Sequence, residues 1–289
     1  MNVCTLAGGR ILVYISHRLE VNADTRGSSP KATSTMPFPI SYVRSRAGML
    51  DILLALLFTH AAMGQTTVSF STQDGGLIFA DLYGSGARGV VLAHGGQFNK
   101  ESWASQAQSL AAAGFQVLAI DFRGYGKSRG PGDSAPEGAP LQLDVLAAVR
   151  YLHDQGALTV SVVGGSMGGG AAGDASIASK AGEIDRLVLL GAAPNDPADK
   201  LKSASLYIVA RHDANEDGPR LPGIRAQYEK SPQPKKLLIL DGSAHAQFLF
   251  RTNQGERVMR EILRFLARPR RPRDSYLETR RTMQVRRAK

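Results

Sequence analysis

From residue 65 onward, short apolar segments alternate with segments whose apolar residues recur every three or four positions. The first pattern predicts buried strands and the second predicts amphipathic helices. Predicted strands cover residues 67–72, 77–83, 89–93, 115–120, 158–163, 186–190, 205–210 and 236–240, and predicted helices cover residues 103–113, 141–153, 167–180, 221–230 and 253–267. Apolar strands that alternate with helices form a mostly parallel sheet covered on both faces. The sequence therefore predicts an α/β fold, a doubly wound sheet of eight strands.

The first two predicted strands are joined by Asp74-Gly75-Gly76, a sequence typical of a tight turn. Strands joined by such a turn run antiparallel, so we expect an antiparallel hairpin at one edge of the sheet. No internal repeat interrupts the pattern, and we predict one domain over residues 65–267.

The net charge of +10 is carried by the two ends of the chain. Residues 1–64 hold six Lys/Arg and three Asp/Glu, residues 268–289 hold nine and two, and residues 65–267 hold 20 of each. A basic end such as residues 268–273 is usually solvated and disordered. No cluster of basic and aromatic residues accompanies it, so we expect no nucleic-acid partner.

Residues 1–64 read as a poorly structured extension followed by a signal peptide. Arg44 and Arg46 precede an apolar run over residues 49–63, and small residues follow at 62–64. This order is typical of a secretory signal peptide, and the run is too short to span a bilayer comfortably. We expect export to the periplasm or the medium, no stable membrane span in the mature form, and a true start at Met36 rather than Met1. The alternatives are an amphipathic or buried helix and an uncleaved anchor. If residues 36–64 are not a signal peptide, we expect a cytoplasmic protein.

Motifs for metals and cofactors are missing from the sequence. Cys4 is the single cysteine, which excludes an intramolecular disulfide and a cysteine zinc site. No two histidines have the spacing of a zinc-binding helix, and no phosphate-binding loop or dinucleotide fingerprint occurs. We therefore predict no metal and no cofactor.

The stretch Gly164-Gly165-Ser166-Met167-Gly168 follows a predicted strand and opens a predicted helix. In a G-x-S-x-G elbow the glycines permit a strained turn that exposes the serine hydroxyl. A plain glycine-rich turn before a helix is the other reading of the pentapeptide. The rest of the chain decides between the two.

Ligands of open parallel sheets bind beyond the carboxyl ends of the strands. Ser166, Asp213 and His245 each follow the end of a predicted strand, in the chain order Ser, Asp, His. That order is the one found in α/β-hydrolases. In these roles Ser166 attacks a carbonyl carbon, His245 moves the proton, and Asp213 orients the imidazole.

Other acids and histidines compete for these roles. The alternatives to Asp213 are Asp196, Glu216 and Asp217. We expect His94 to shape its loop, and we expect His153 and His212 to lie at the surface or behind the site. Asp121 and Arg123 are expected to brace their loop as an ion pair.

Several motifs together resemble the α/β-hydrolase superfamily over about residues 68–267. They are the His-Gly-Gly loop at 94–96, the stretch Asp-Phe-Arg-Gly-Tyr-Gly-Lys-Ser at 121–128, the elbow, and the acid and histidine after the last strands. The elbow supplies the backbone N–H of Met167 to an oxyanion hole. The resemblance implies Gly96 as the second donor, with Gln97 as the alternative.

The resemblance also bears on the substrate. Superfamily members often carry a cap between the sixth and seventh strands, but here residues 191–204 are too few to form one. The chain is therefore similar to the uncapped branch of dienelactone-hydrolase-like proteins and small serine esterases. Dienelactone hydrolases carry a cysteine nucleophile, whereas this chain has Ser166.

An uncapped site is expected to be open. We expect it to be bordered by residues 127–140, Phe98, Trp103, Met167 and Phe248, with Gln97, Phe98 and Phe248 binding substrate. The predicted activity is cleavage of a small-molecule carboxylic ester through an acyl-enzyme. A peptidase or amidase of the same fold and a non-catalytic binding protein are the alternatives.

Overall fold

The computed structural model describes residues 64–133 and 138–268. The predicted extension and signal peptide, and the basic tail from residue 269 onward, lie outside these residues. Within the two described ranges, none of the helices has both the length and the apolar character needed to cross a bilayer.

Eight strands form the main sheet, in the order β1-β2-β4-β3-β5-β6-β7-β10. Their bounds are β1 Thr66–Ser71, β2 Leu77–Tyr83, β3 Arg88–Ala93, β4 Gln116–Ile120, β5 Thr159–Gly165, β6 Arg186–Leu190, β7 Ala204–Ala210 and β10 Lys235–Leu240. The β1–β2 hairpin is antiparallel, and β2 runs antiparallel to β4. All other pairs are parallel, which confirms the predicted fold class and the edge hairpin.

Burial follows the position of each strand in the sheet. Strands β4 and β6 are buried along their whole lengths, whereas β1 at the edge is half exposed. The register pairs Ala93 at the end of β3 with Ile120 of β4 and Gly164 of β5. The carboxyl ends of these central strands therefore meet at one edge of the sheet.

Five α-helices cover the two faces. They are α1 Ala104–Ala112, α2 Gln142–Asp154, α3 Met167–Ala178, α4 Arg220–Lys230 and α5 Gly255–Leu266. Helices α1 and α5 bury their apolar residues on one face, and α2, α3 and α4 bury theirs on the other. The doubly wound arrangement is thus confirmed, with a hydrophobic core on each side of the sheet.

Three local features differ from the predicted elements. A short hairpin, β8 Ala214–Asn215 with β9 Gly218–Pro219, lies between β7 and α4. A 3-10 helix at Lys100–Trp103 precedes α1, and another at Ala246–Arg251 precedes α5. Helix α5 starts at Gly255 rather than at residue 253. A Cβ at Gly255 would lie 2.3 Å from the carbonyl oxygen of Phe250.

Between β6 and β7 the chain forms only the 3-10 helix Ala198–Lys200. This agrees with the prediction that no cap domain is inserted there. The carboxyl edge of the sheet therefore stays open at this point.

Candidate active site

The three predicted catalytic side chains meet at the carboxyl edge of the sheet. His245 Nε2 lies 2.7 Å from Ser166 Oγ, and His245 Nδ1 lies 2.8 Å from Asp213 Oδ2. Asp213 is completely buried, whereas 26% of the His245 side chain is exposed. The structure thus brings to His245 the acid that follows β7. Asp217 of the neighbouring turn instead accepts a hydrogen bond from Asn215.

These contacts fix the protonation of the imidazole. An ionised carboxylate only accepts hydrogen bonds, so the proton of neutral His245 is on Nδ1. Nε2 is then an acceptor, and the hydroxyl group of Ser166 donates a hydrogen bond to it. A serine with this partner can lose its proton as it attacks.

Ser166 occupies a strained turn between β5 and α3. Its φ of 51° and ψ of −118° lie outside the regions that L-residues favour. A Cβ at Gly164 would lie 2.3 Å from the carbonyl oxygen of Gly168, and a Cβ at Gly168 would lie 2.4 Å from that of Ala93. Glycine is therefore needed on both sides of the serine because backbone passes close to backbone.

The candidate oxyanion donors are backbone N–H groups of the elbow and of the loop after β3. Met167 is the first residue of α3, so its N–H has no acceptor within the helix. Gly95 N–H donates to Gln247 Oε1 at 2.8 Å and is not available to a ligand. Among the described residues, no acceptor is found for the N–H groups of Gly96 and Gln97.

Two side chains hold the loop that contains Gly96. The hydroxyl of Tyr125 donates to Gly96 O at 2.9 Å. His94 Nδ1 donates to Gly95 O at 2.9 Å, and His94 Nε2 accepts from the N–H of Phe122 at 3.3 Å. Burial lowers the pKa of His94, which agrees with this neutral tautomer. His94 therefore shapes its loop, as predicted.

A cavity of about 620 Å³ opens beside Ser166. It is lined by Ala139, Leu141, Gln142, Ser166, Met167, Gly170, Ala171, Asp174, Gly191, Ala192, Ala193, Asn195, Arg220, Gly223, Ile224 and Gln227. The cavity lies between the amino-terminal part of α3, the segment after β6 and the start of α4. Ser166 itself is part of the cavity lining.

The residues expected to bind substrate do not line this cavity. Gln97 is exposed, and the half-buried rings of Phe98 and Phe248 pack together with centroids 5.0 Å apart. Their role in substrate binding stays a prediction. Trp103 does not border the site, because it is completely buried and packs edge-on against Phe250.

The predicted ion pair between Asp121 and Arg123 is wrong. Arg123 binds Asp74 in the β1–β2 turn and Asp144 on α2, and both partners accept from its guanidinium. Asp121 instead accepts a hydrogen bond from the N–H of Lys100 at 2.8 Å. Asp121 and Arg123 are thus each held by neighbouring elements rather than by one another.

Two residues of the site were not predicted from the sequence. Gln247 joins the His245 segment to the loop of Gly95, and Arg220 lies beside Asp213. Gln247 follows His245 by two positions, but a glutamine carries no recognisable motif. Arg220 depends on the β8–β9 hairpin, which the periodicity did not reveal.

The donor set gives no sign of a metal centre. Across residues 64–133 and 138–268, no three His, Cys, Asp or Glu residues cluster as metal ligands would.

Part of the sequence is similar to sequences of known proteins. A non-heme haloperoxidase of Rhodococcus erythropolis is 35% identical over 126 residues, which is 43% of this chain and 43% of that protein. A bifunctional esterase/perhydrolase of Acinetobacter calcoaceticus is 32% identical over 151 residues, which is 51% of this chain and 48% of that protein. The chain thus matches about half the length of these curated relatives.

Solved structures share the fold at lower identity. An esterase from Exiguobacterium antarcticum superposes with a TM-score of 0.58 and 17% identity, over 70% of this chain and 100% of that one. The sequence profile of the alpha/beta hydrolase fold matches residues 89–247, from β3 to just beyond His245. The chain therefore belongs to the α/β-hydrolase fold family.

Proposed function

We propose that this protein is a serine hydrolase that cleaves carboxylic esters through an acyl-enzyme. The observation that carries the proposal is the continuous hydrogen-bonded chain from Ser166 through His245 to Asp213. In such a chain a hydroxyl becomes a nucleophile because a positioned base takes its proton. The esterase activity named for the Acinetobacter relative also favours ester substrates.

The first half of the reaction forms the acyl-enzyme. Ser166 Oγ attacks the ester carbonyl carbon while its proton passes to His245 Nε2, and the carbonyl oxygen becomes an oxyanion. The buried carboxylate of Asp213 stabilises the imidazolium. Collapse of the tetrahedral intermediate breaks the bond to the alcohol oxygen, which receives the proton from His245.

The second half of the reaction releases the acid. Water replaces the alcohol, His245 removes one of its protons, and the hydroxide attacks the acyl carbon. Collapse of the second intermediate returns the proton to Ser166 and frees the carboxylic acid. Binding of the oxyanion in both halves is assigned to the N–H groups of Met167 and Gly96.

The open cleft agrees with a small or medium acyl group on a bulky alcohol. With no cap between β6 and β7, an alcohol group need not be enclosed. The apolar stretch of the cavity wall includes Leu141, Met167 and Ile224. The polar part includes Gln142, Asn195 and Arg220.

A fluorophosphonate probe tests the proposal. We expect a single adduct, seen by intact mass, on the wild-type protein and none on the Ser166→Ala variant. Short p-nitrophenyl esters should be hydrolysed by the wild type, and the variant should lose roughly 10⁴-fold or more of the rate. Far-UV circular dichroism of both proteins checks that the variant is folded.

The other outcomes are equally informative. A labelled serine without turnover of any ester, but with turnover of an amide, would replace the esterase by an amidase. A folded wild-type protein that takes up no probe and hydrolyses no ester would contradict the proposal and favour a binding protein.

A further inference from the structure

The carboxylate of Asp213 has one oxygen without a hydrogen-bond donor. Oδ2 faces His245 Nδ1, while Oδ1 is buried and no donor reaches it among the described residues. A buried carboxylate oxygen without a donor costs free energy. The nearest cation is Arg220, whose Nε lies 3.5 Å from Oδ1 and is itself buried without an acceptor. The two unsatisfied groups therefore face one another.

A short hairpin between Asp213 and Arg220 brings the two residues into contact. The β8–β9 hairpin reverses the chain directly after Asp213, with Gly218 at a φ of 108°. Arg220 N–H then donates to the backbone oxygen of Asp213 at 2.9 Å, and α4 begins at the same residue. Backbone and side chain of Arg220 thus both contact the residue that holds His245.

We propose that Arg220 is a positioning residue that orients the Asp213 carboxylate and offsets part of its charge. The inference rests on the proposed function. With Oδ1 in an ion pair with Arg220 Nε, rotation of the carboxylate would disturb two contacts instead of one. Oδ2 is thereby kept in line with Nδ1 of His245.

The charge of Arg220 acts on the same pair. Asp213 stabilises the protonated imidazole, and a cation beside Asp213 reduces that stabilisation. In the described part of the chain, the charged or titratable groups within ion-pair distance of Asp213 are His245 and Arg220. Removal of the Arg220 charge should therefore favour protonation of His245, and activity should be lost at a higher pH on the acidic side.

Arg220 also lines the cavity, so a role in binding an anionic substrate must be separated from this one. A neutral substrate makes the separation. An uncharged p-nitrophenyl ester has no anionic group for a guanidinium to bind, so a change in its pH profile reports on the triad rather than on recognition of a substrate charge. The probe-labelling rate gives a second measure that does not depend on turnover.

The experiment compares Arg220→Gln, Arg220→Lys and Arg225→Gln. Arg225 is an exposed arginine on the same helix, so its substitution removes the same charge away from Asp213. The pH dependence of labelling and of kcat/KM is measured for each variant and for the wild type. We expect Arg220→Gln to shift the acidic limb upward by roughly one pH unit and to lower kcat more than it raises KM. Arg220→Lys should restore part of the shift because it keeps the charge.

Each other result decides against the proposal. Equal pH profiles for Arg220→Gln and Arg225→Gln would overturn it, as would a change confined to KM. An effect of Arg220→Lys as large as that of Arg220→Gln, without a pH shift, would show a purely structural role. A folded wild type whose Ser166 takes up no probe would instead remove the proposed function, and this inference with it.

Discussion

Two residues of the site carry backbone strain. Ser166 and Ala246 are the two non-glycine residues of the described region with positive φ, at 51° and 50°. Such conformations cost about 1–3 kcal/mol each and persist where the surroundings enforce them. One of these residues carries the hydroxyl, and the other directly follows His245. The glycines around Ser166 predict the first turn, whereas nothing in the sequence around Ala246 predicts the second.

Gln247 shows how a single buried side chain holds the site together. It is 5% exposed, its Oε1 accepts from Gly95 N–H, and its Nε2 donates to Ser102 Oγ at 2.6 Å. Gln247→Leu would leave the buried N–H of Gly95 without an acceptor, which costs about 1–3 kcal/mol. We expect urea unfolding to show that loss. We expect kcat to fall more than KM rises, since the loop of Gly96 loses its tether.

Gln108 provides the matched control for this substitution. It is exposed on α1, so Gln108→Leu removes the same amide without a buried partner. The control should unfold and react like the wild type. A Gln247→Leu variant that does the same would show that the tether is dispensable.

At the scale of the element, α3 consists largely of small residues. Four of its 12 residues are glycines, a composition that disfavours a helix in isolation. Close packing explains why these positions are glycine. A Cβ at Gly168 would lie 2.4 Å from Ala93 O, and a Cβ at Gly173 would lie 2.7 Å from Pro194 Cγ. The helix is thus stabilised by close contact with the sheet and with the segment after β6 rather than by intrinsic propensity.

Helix glycines with and without free space should respond in opposite directions to alanine. Gly168→Ala forces a Cβ against backbone, and we expect it to destabilise by about 1–3 kcal/mol and to disturb the elbow. Gly223 on α4 has no atom within 4 Å of an added Cβ. Gly223→Ala should therefore stabilise by about 0.5–1 kcal/mol. Thermal and urea unfolding of both variants measures this, and the same sign for both would contradict the packing argument.

Elements that depend on local periodicity were predictable, and those that depend on tertiary contacts were not. Strands β4 and β6 are apolar except for their first residues, and their positions follow from the sequence to within one residue. The β8–β9 hairpin is only two residues per strand, too short for a period to appear. At the site, the order of Ser166, Asp213 and His245 along the chain was informative because parallel strands end at one edge. Arg220 was missed because a short turn brings it back to Asp213. Gln247 was missed because its partner Gly95 is distant in the sequence.

At the scale of the whole molecule, one arginine joins the edge hairpin to the rest of the fold. The Arg123 side chain is 1% exposed and binds Asp74 of the β1–β2 turn and Asp144 of α2. It follows β4, so three separate parts of the chain converge on one guanidinium. Two carboxylates around a buried cation satisfy the planar donors of arginine on two sides.

This convergence predicts how stability depends on pH. Hydrogen bonds from Arg123 hold the pKa of Asp74 well below its usual range. Folding therefore favours the ionised carboxylate. The contribution of the Asp74 carboxylate to the free energy of unfolding is complete above the unfolded pKa of about 3.9. It is lost as the pH falls toward the lower folded pKa.

Asp74→Asn tests this link by removal of the charge with little change of shape. At pH 7 we expect the variant to be less stable by about 1–2 kcal/mol, the lower end of the range for a hydrogen bond to a charged group because the Asp74 side chain is 27% exposed. The difference from the wild type should shrink as the pH is lowered below about 4, because the Asp74 carboxylate of the unfolded wild-type chain then takes up a proton while the folded one stays ionised. Urea unfolding between pH 7 and pH 3 follows the difference, with exposed Asp199→Asn as the control. A difference that stays constant across this range would mean that Asp74 stabilises the hairpin by shape and not through its charge on Arg123.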